Sequence, residues 1–84
     1  MTPIEIAAAI NDEIISANER YGPFTSAHEG YGVLAEEVAE LLSAIHSNKR
    51  ESVRSEAIQV AAVAWRIALS MNHFPTSERS GMYD

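Results

Sequence analysis

SAHEGYGVLAEEVAELLSAI, residues 26–45, is the stretch whose reading decides the fold. Ser26 followed three residues later by Glu29 is the signature of a capping box and marks a helix start. Tyr31, Leu34, Ala35, Val38, Leu41, Leu42 and Ile45 then recur at the three- and four-residue spacing of one helical face. At roughly 100° per residue, Glu29, Glu36 and Glu40 fall within a sector of roughly 40° opposite that stripe, with Glu37 to one side. The segment therefore predicts an amphipathic helix. Its charged side is either a solvated face or a set of carboxylates gathered for a purpose.

The same signals repeat on both sides of this helix. Thr2-Pro3-Ile4-Glu5 combines a capping residue, a proline suited to the first helical position and a glutamate that completes a box, so a first helix should run to about Arg20. Gly22-Pro23 breaks it. Asn48-Lys49-Arg50-Glu51 offers a third capping box, and the helix it starts should continue to about His73, stopping before Pro75. Nothing reads as a strand. The expectation is an all-α, three-helix chain forming a single domain over residues 1–84, with 76–84 a short flexible tail. From Ala57 to Leu69 only Gln59 and Arg66 are polar, so this helix is apolar almost all round and needs cover on nearly every side. Two short partner helices from one chain are too few. The bundle is therefore expected to be completed by homo-oligomerisation, as a dimer or tetramer.

Composition narrows the class of function. Hydrophobic residues make up 46% of the chain and charged residues 21%, which suits a globular domain and not a disordered segment. With no cysteine there is neither a disulfide framework nor a thiolate zinc site, and no leader is read at the start, so the cytoplasm is the default expectation. The most apolar stretch, Val60 to Leu69, contains Arg66 and is too short to cross a bilayer. Six basic residues against twelve acidic ones give a net charge of −6, which argues against a surface for nucleic-acid polymers. A nucleotide ligand stays open, because a bound divalent cation reverses the local field.

The acidic residues carry the chemistry. On the third helix Ser52, Glu56, Gln59, Arg66 and Ser70 share a narrow polar strip interrupted by Val63, and this strip can face the acidic strip of the second helix. In an antiparallel pairing Glu36 or Glu40 approaches Glu56. Three carboxylates that close repel unless a cation lies between them, and oxygen ligands suit magnesium or manganese. The competing reading is a salt bridge from Arg66 to a glutamate at a subunit contact. The histidines show no zinc-ligand spacing.

Two blocks, AHEGYGVLAEEVAEL (27–41) and EAIQVAA (56–62), resemble the all-α MazG-like nucleoside triphosphate pyrophosphohydrolases, and most closely their short phage- or prophage-type members. That family carries E-E-x-x-E on one helix and E-x-x-D on the next, holding magnesium around a triphosphate. The likeness covers Ser26 to about Ala68. It implies Glu36, Glu40 and Glu56 as magnesium ligands, with Gln59 at the position where the general pattern has aspartate. An amide there offers one carbonyl oxygen but no charge. Short members of the phage type often read E-x-I-Q here.

What the resemblance implies is hydrolysis of an NTP or dNTP between its α and β phosphates, giving the monophosphate and pyrophosphate, a nucleotide-pool housecleaning reaction. Glu37 is then the base that orients or deprotonates the attacking water, although a small change in helix rotation exchanges the roles of Glu36 and Glu37. Lys49, Arg54 and Arg66 are the cations available to the phosphates, and Trp65 is an aromatic available for stacking on the base. Two other classes remain open. One is a degenerate module that binds nucleotide and metal without turnover; the other is a structural helical oligomer whose acidic strip is only a soluble face.

Overall fold

The computed structural model describes residues 1–74, so the expected tail at 76–84 lies outside the described residues. Within them the chain is all-helical: α1 (Pro3–Tyr21), α2 (Ala27–Ser47), α3 (Arg50–Ser70) and a short 3-10 turn, Met71–His73. Helix α3 packs against both of the others and most extensively against α2. No described helix is long and apolar enough to cross a membrane.

Helix α1 starts as its sequence dictates. The Thr2 hydroxyl accepts from the Glu5 amide at 3.1 Å and the Glu5 carboxylate accepts from the Thr2 amide at 2.7 Å, so both halves of the box form. It ends at Gly22, whose φ of 72° lies in the left-handed region that a residue without Cβ enters at no steric cost. At the start of α2 the box forms only in part. The Ser26 hydroxyl accepts from the Glu29 amide at 3.0 Å, but the Glu29 carboxylate turns to the amide and hydroxyl of Thr25, at 2.7 and 3.0 Å.

The third capping box does not form, which corrects the expectation at Asn48. Asn48 sits at φ 62° and ψ 28° and closes α2, its amide donating to the Ala44 and Ile45 carbonyls. A capping residue needs extended backbone, and that place falls to Lys49, whose side chain makes no capping bond. Asn48 is the polar residue that tolerates the left-handed conformation at a helix C-terminus. Helix α3 also stops at Ser70, earlier than expected, and tightens into the 3-10 turn before Phe74.

The core is small: Ile14, Phe24, Ala44, Ile58, Ala62 and Val63 are its buried apolar residues. The face that α2 turns inward is not the apolar stripe read from its sequence. Gly30 and Ala44 are buried and Val33, Leu34, Glu37 and Leu41 half-buried, whereas Tyr31, Val38, Leu42 and Ile45 are 47–67% exposed. At about 100° per residue the inward face is centred on Glu37, roughly a quarter turn from the centre of the stripe. Gly30 explains how α3 comes so close, since a Cβ there would lie 2.7 Å from Ile67 Cγ1 and 3.2 Å from Phe24 Cδ2.

Candidate acidic centre and adjoining cavity

The antiparallel hairpin of α2 and α3 brings Glu40 opposite Glu56, and the inward rotation of α2 adds Glu37. One carboxylate oxygen from each of these three residues lies within 4.8 Å of the others. Glu36 is exposed and stands outside this group, so the trio differs from the Glu36, Glu40 and Glu56 set expected from the sequence. The cause is the same quarter-turn rotation, which brings Glu37 to the centre of the buried face.

Glu37 is the unusual member. Its Oε1 is buried without a hydrogen-bond partner among the described residues. Burial pushes its carboxyl up from the ordinary 4.5, and the negative charges of Glu40, Glu56, Glu36 and Glu13 push the same way. A buried acceptor left unbonded beside like charges costs free energy, and a cation removes both penalties at once. The donor set is all oxygen, which fits a hard cation. Glu37, Glu40 and Glu56 would hold such a cation, leaving places for water or phosphate oxygens.

Gln59, one turn beyond Glu56, donates its amide to the Glu13 carboxylate of α1. Its NH2 is thereby engaged, while its carbonyl oxygen retains acceptor capacity. Glu13 was not singled out in the sequence, because its only signal is a polar position on the first helix with no motif around it. The Gln59–Glu13 bond stands at one end of a cavity of about 490 Å³ between α1, the 22–25 turn, α2 and α3. Glu37 and Val33 line it from α2, and Ala62, Val63 and Arg66 from α3.

Arg66 also lines this cavity and is only 6% exposed. Its Nη2 donates to the Gly22 carbonyl at 3.1 Å, its Nε lies 3.4 Å from Asn18 Oδ1, and its guanidinium stacks 4.3 Å from the Phe24 ring centre. Within the chain Arg66 makes no salt bridge to a glutamate among the described residues. Glu29 is the carboxylate closest to mattering. It is exposed and held below the usual carboxylate range chiefly by the Thr25 amide and hydroxyl, with Arg66 a minor contributor and slight desolvation opposing.

The other basic and aromatic residues singled out stand apart. Arg54 pairs with Glu51 at 3.2 Å on the surface, and Lys49 is exposed at the α2–α3 turn. Trp65 is 56% exposed and does not line the cavity. Arg20 and Tyr21 do line it, at the end of α1, and neither was singled out from the sequence.

No family model, curated protein or solved structure matches this chain.

Proposed function

We propose that the protein is a magnesium-dependent nucleoside triphosphate pyrophosphohydrolase of the MazG-like kind, cleaving an NTP or dNTP to the monophosphate and pyrophosphate. The observation that carries this reading is the convergence of a carboxylate oxygen from each of Glu37, Glu40 and Glu56, beside a buried Glu37 Oε1 that has no hydrogen-bond partner among the described residues. Purely solvated glutamates would have no cause to turn one of their number inward against four like charges. When bound, magnesium would neutralise the polyphosphate and polarise water near it.

The chain's own residues divide the remaining work. Glu40 and Glu56 supply charge to the cation. Glu37 has two oxygens, so it can serve the cation with one and accept a proton from the attacking water with the other. Gln59, fixed by Glu13, presents an amide carbonyl one helical turn from Glu56. The exposed Tyr31, Val38, Leu42 and Ile45 support a homo-oligomer built on the outward face of α2, since four large apolar side chains on one face form a patch that a second copy can cover.

The test is pyrophosphate release from a panel of NTPs and dNTPs with magnesium, with manganese and with chelator. Metal-dependent release that fails in Glu37→Gln, Glu40→Gln and Glu56→Gln alike supports the reading. Release that survives in all three variants overturns it.

A further inference from the structure

Helix α1 is held less firmly than its neighbours. It lies against α3, less extensively than α2 does, and Ile14 is its one buried residue. It nevertheless walls the cavity with Glu13, Ser16, Ala17 and Arg20. Two side-chain ties join it to α3 among the described residues: Gln59 donates to Glu13, and Arg66 Nε donates to Asn18.

The first tie is the one that reaches the acidic centre. Arg20 and Arg66 line the same cavity, but neither forms a salt bridge with Glu13 among the described residues, and the bonded partner of Glu13 is a neutral amide. An ionised carboxylate only accepts, so it takes the NH2 of Gln59 and leaves the carbonyl oxygen turned away from it. With the amide reversed, two oxygens would face each other. Glu56 stands one turn earlier on the same face of α3, and Glu37 lines the cavity from α2.

The charge of Glu13 is also felt there. After burial and the charges of Glu40, Glu56 and Glu36, it is the last of the influences that push the Glu37 carboxyl up. Without a cation, α1 therefore brings a like charge towards three carboxylates. A cation among them would act on α1 twice in the same direction. It would cancel the repulsion on Glu13, and by drawing on the Gln59 carbonyl it would make the Gln59 NH2 a stronger donor to Glu13.

We propose that Glu13 is a positioning residue of the acidic centre: through the Gln59 amide it ties α1 to the bound cation, so that loading the centre docks α1 as the third wall of the cavity. The proposal rests on the reading of the centre as a magnesium site. Linkage makes the tie reciprocal, so an α1 held in place by Glu13 raises the affinity for the cation by the same factor. The cavity is then complete only once the cation is in place.

Hydrogen–deuterium exchange of the α1 peptides tests this, followed by mass spectrometry as manganese chloride is titrated into the nucleotide-free protein, with bound manganese read by EPR. At saturation α1 exchange should slow by at least about fivefold, the low end of coupling between sites. In Glu13→Ala that slowing should disappear while α2 and α3 still slow, and manganese should bind at least about fivefold more weakly. A merely structural Glu13 would change α1 exchange equally with and without manganese, and that outcome overturns the proposal. So does wild-type α1 exchange that stays unchanged while manganese binds, a result that needs no variant to fold. If EPR shows no bound manganese, the magnesium-site reading falls and this inference with it. Bound manganese with an indifferent α1 removes the inference alone.

Discussion

The two faces of α2 differ in what they carry and in how far it is buried. The inward face carries Gly30, Ala44, Val33, Leu34 and Leu41 around a half-buried Glu37, while the outward face carries Tyr31, Val38, Leu42 and Ile45, which remain about half exposed. Burying the bulky stripe would remove more apolar area from water and would leave Glu37 hydrated. The observed rotation forgoes that gain. Under the function proposed above, the inward face serves the acidic centre and the outward face a second copy.

The inward half of this comparison breaks most sharply at Glu56. Glu56→Gln keeps the shape and removes a charge, so pyrophosphate release should fall on the order of 100-fold or more, with little loss of metal-free stability. Steady-state kinetics and thermal melts on the same preparation check both halves. A variant that melts early but turns over normally would make Glu56 a structural residue.

Leu42→Asp attacks the outward half. A charge placed amid Tyr31, Val38 and Ile45 should weaken self-association by a factor on the order of tens, as for a central interface residue, while the circular dichroism of the helices is unchanged. Sedimentation velocity across a concentration series reads the effect. An unchanged distribution of species would mean that this face is not the contact.

Gly30→Ala sharpens the contrast in packing. The added methyl must displace Ile67, whose Cγ1 would be 2.7 Å away, so the substitution should cost about 1–3 kcal/mol in chemical denaturation. The same change at Gly32, where nothing lies within 4 Å of the new Cβ, should be neutral or stabilising through helix propensity.

The smallest effect is a pH dependence. Because Glu37 is raised in the folded state, the fold binds its proton more readily than the unfolded chain does. Stability of the metal-free protein should therefore rise as pH falls from neutral through the raised value towards 4.5, and Glu37→Gln should flatten that rise. Glu29 works in a separate window. Its contribution is present above 4.5 and is lost as pH falls through its lowered folded value. Melting temperatures of the two proteins between neutral pH and pH 4 separate these effects.

The helices were legible because their signals are local. Thr2 with Glu5, Ser26 with the Glu29 amide and the break at Gly22 each act within one turn of chain. Asn48 was misread for the same reason: its sequence neighbourhood fits a cap, but the two-residue connection to α3 makes the end of α2 claim it first. Periodicity identified the apolar stripe of α2 but carries no information on whether α3 or another copy covers it. That ambiguity is why Glu36 was grouped with Glu40 and Glu56 where Glu37 now stands. Glu13 and Asn18 were out of reach because their partners on α3, Gln59 and Arg66, are remote in sequence and no motif links them.

The hydroxyl of Ser70 joins two distant parts of the chain. It donates to the Arg66 carbonyl at 2.8 Å and accepts from the Phe24 amide at 3.0 Å, and it is 1% exposed. The Phe24 amide proton, although it sits in a turn, is therefore shielded by the last residue of α3 and not by any helix of its own. Its rate of exchange with deuterium becomes a clock for the fraying of that helix end. Exchange at Phe24 should follow the exchange of the final α3 amides and remain slow when neighbouring turn amides are already labelled.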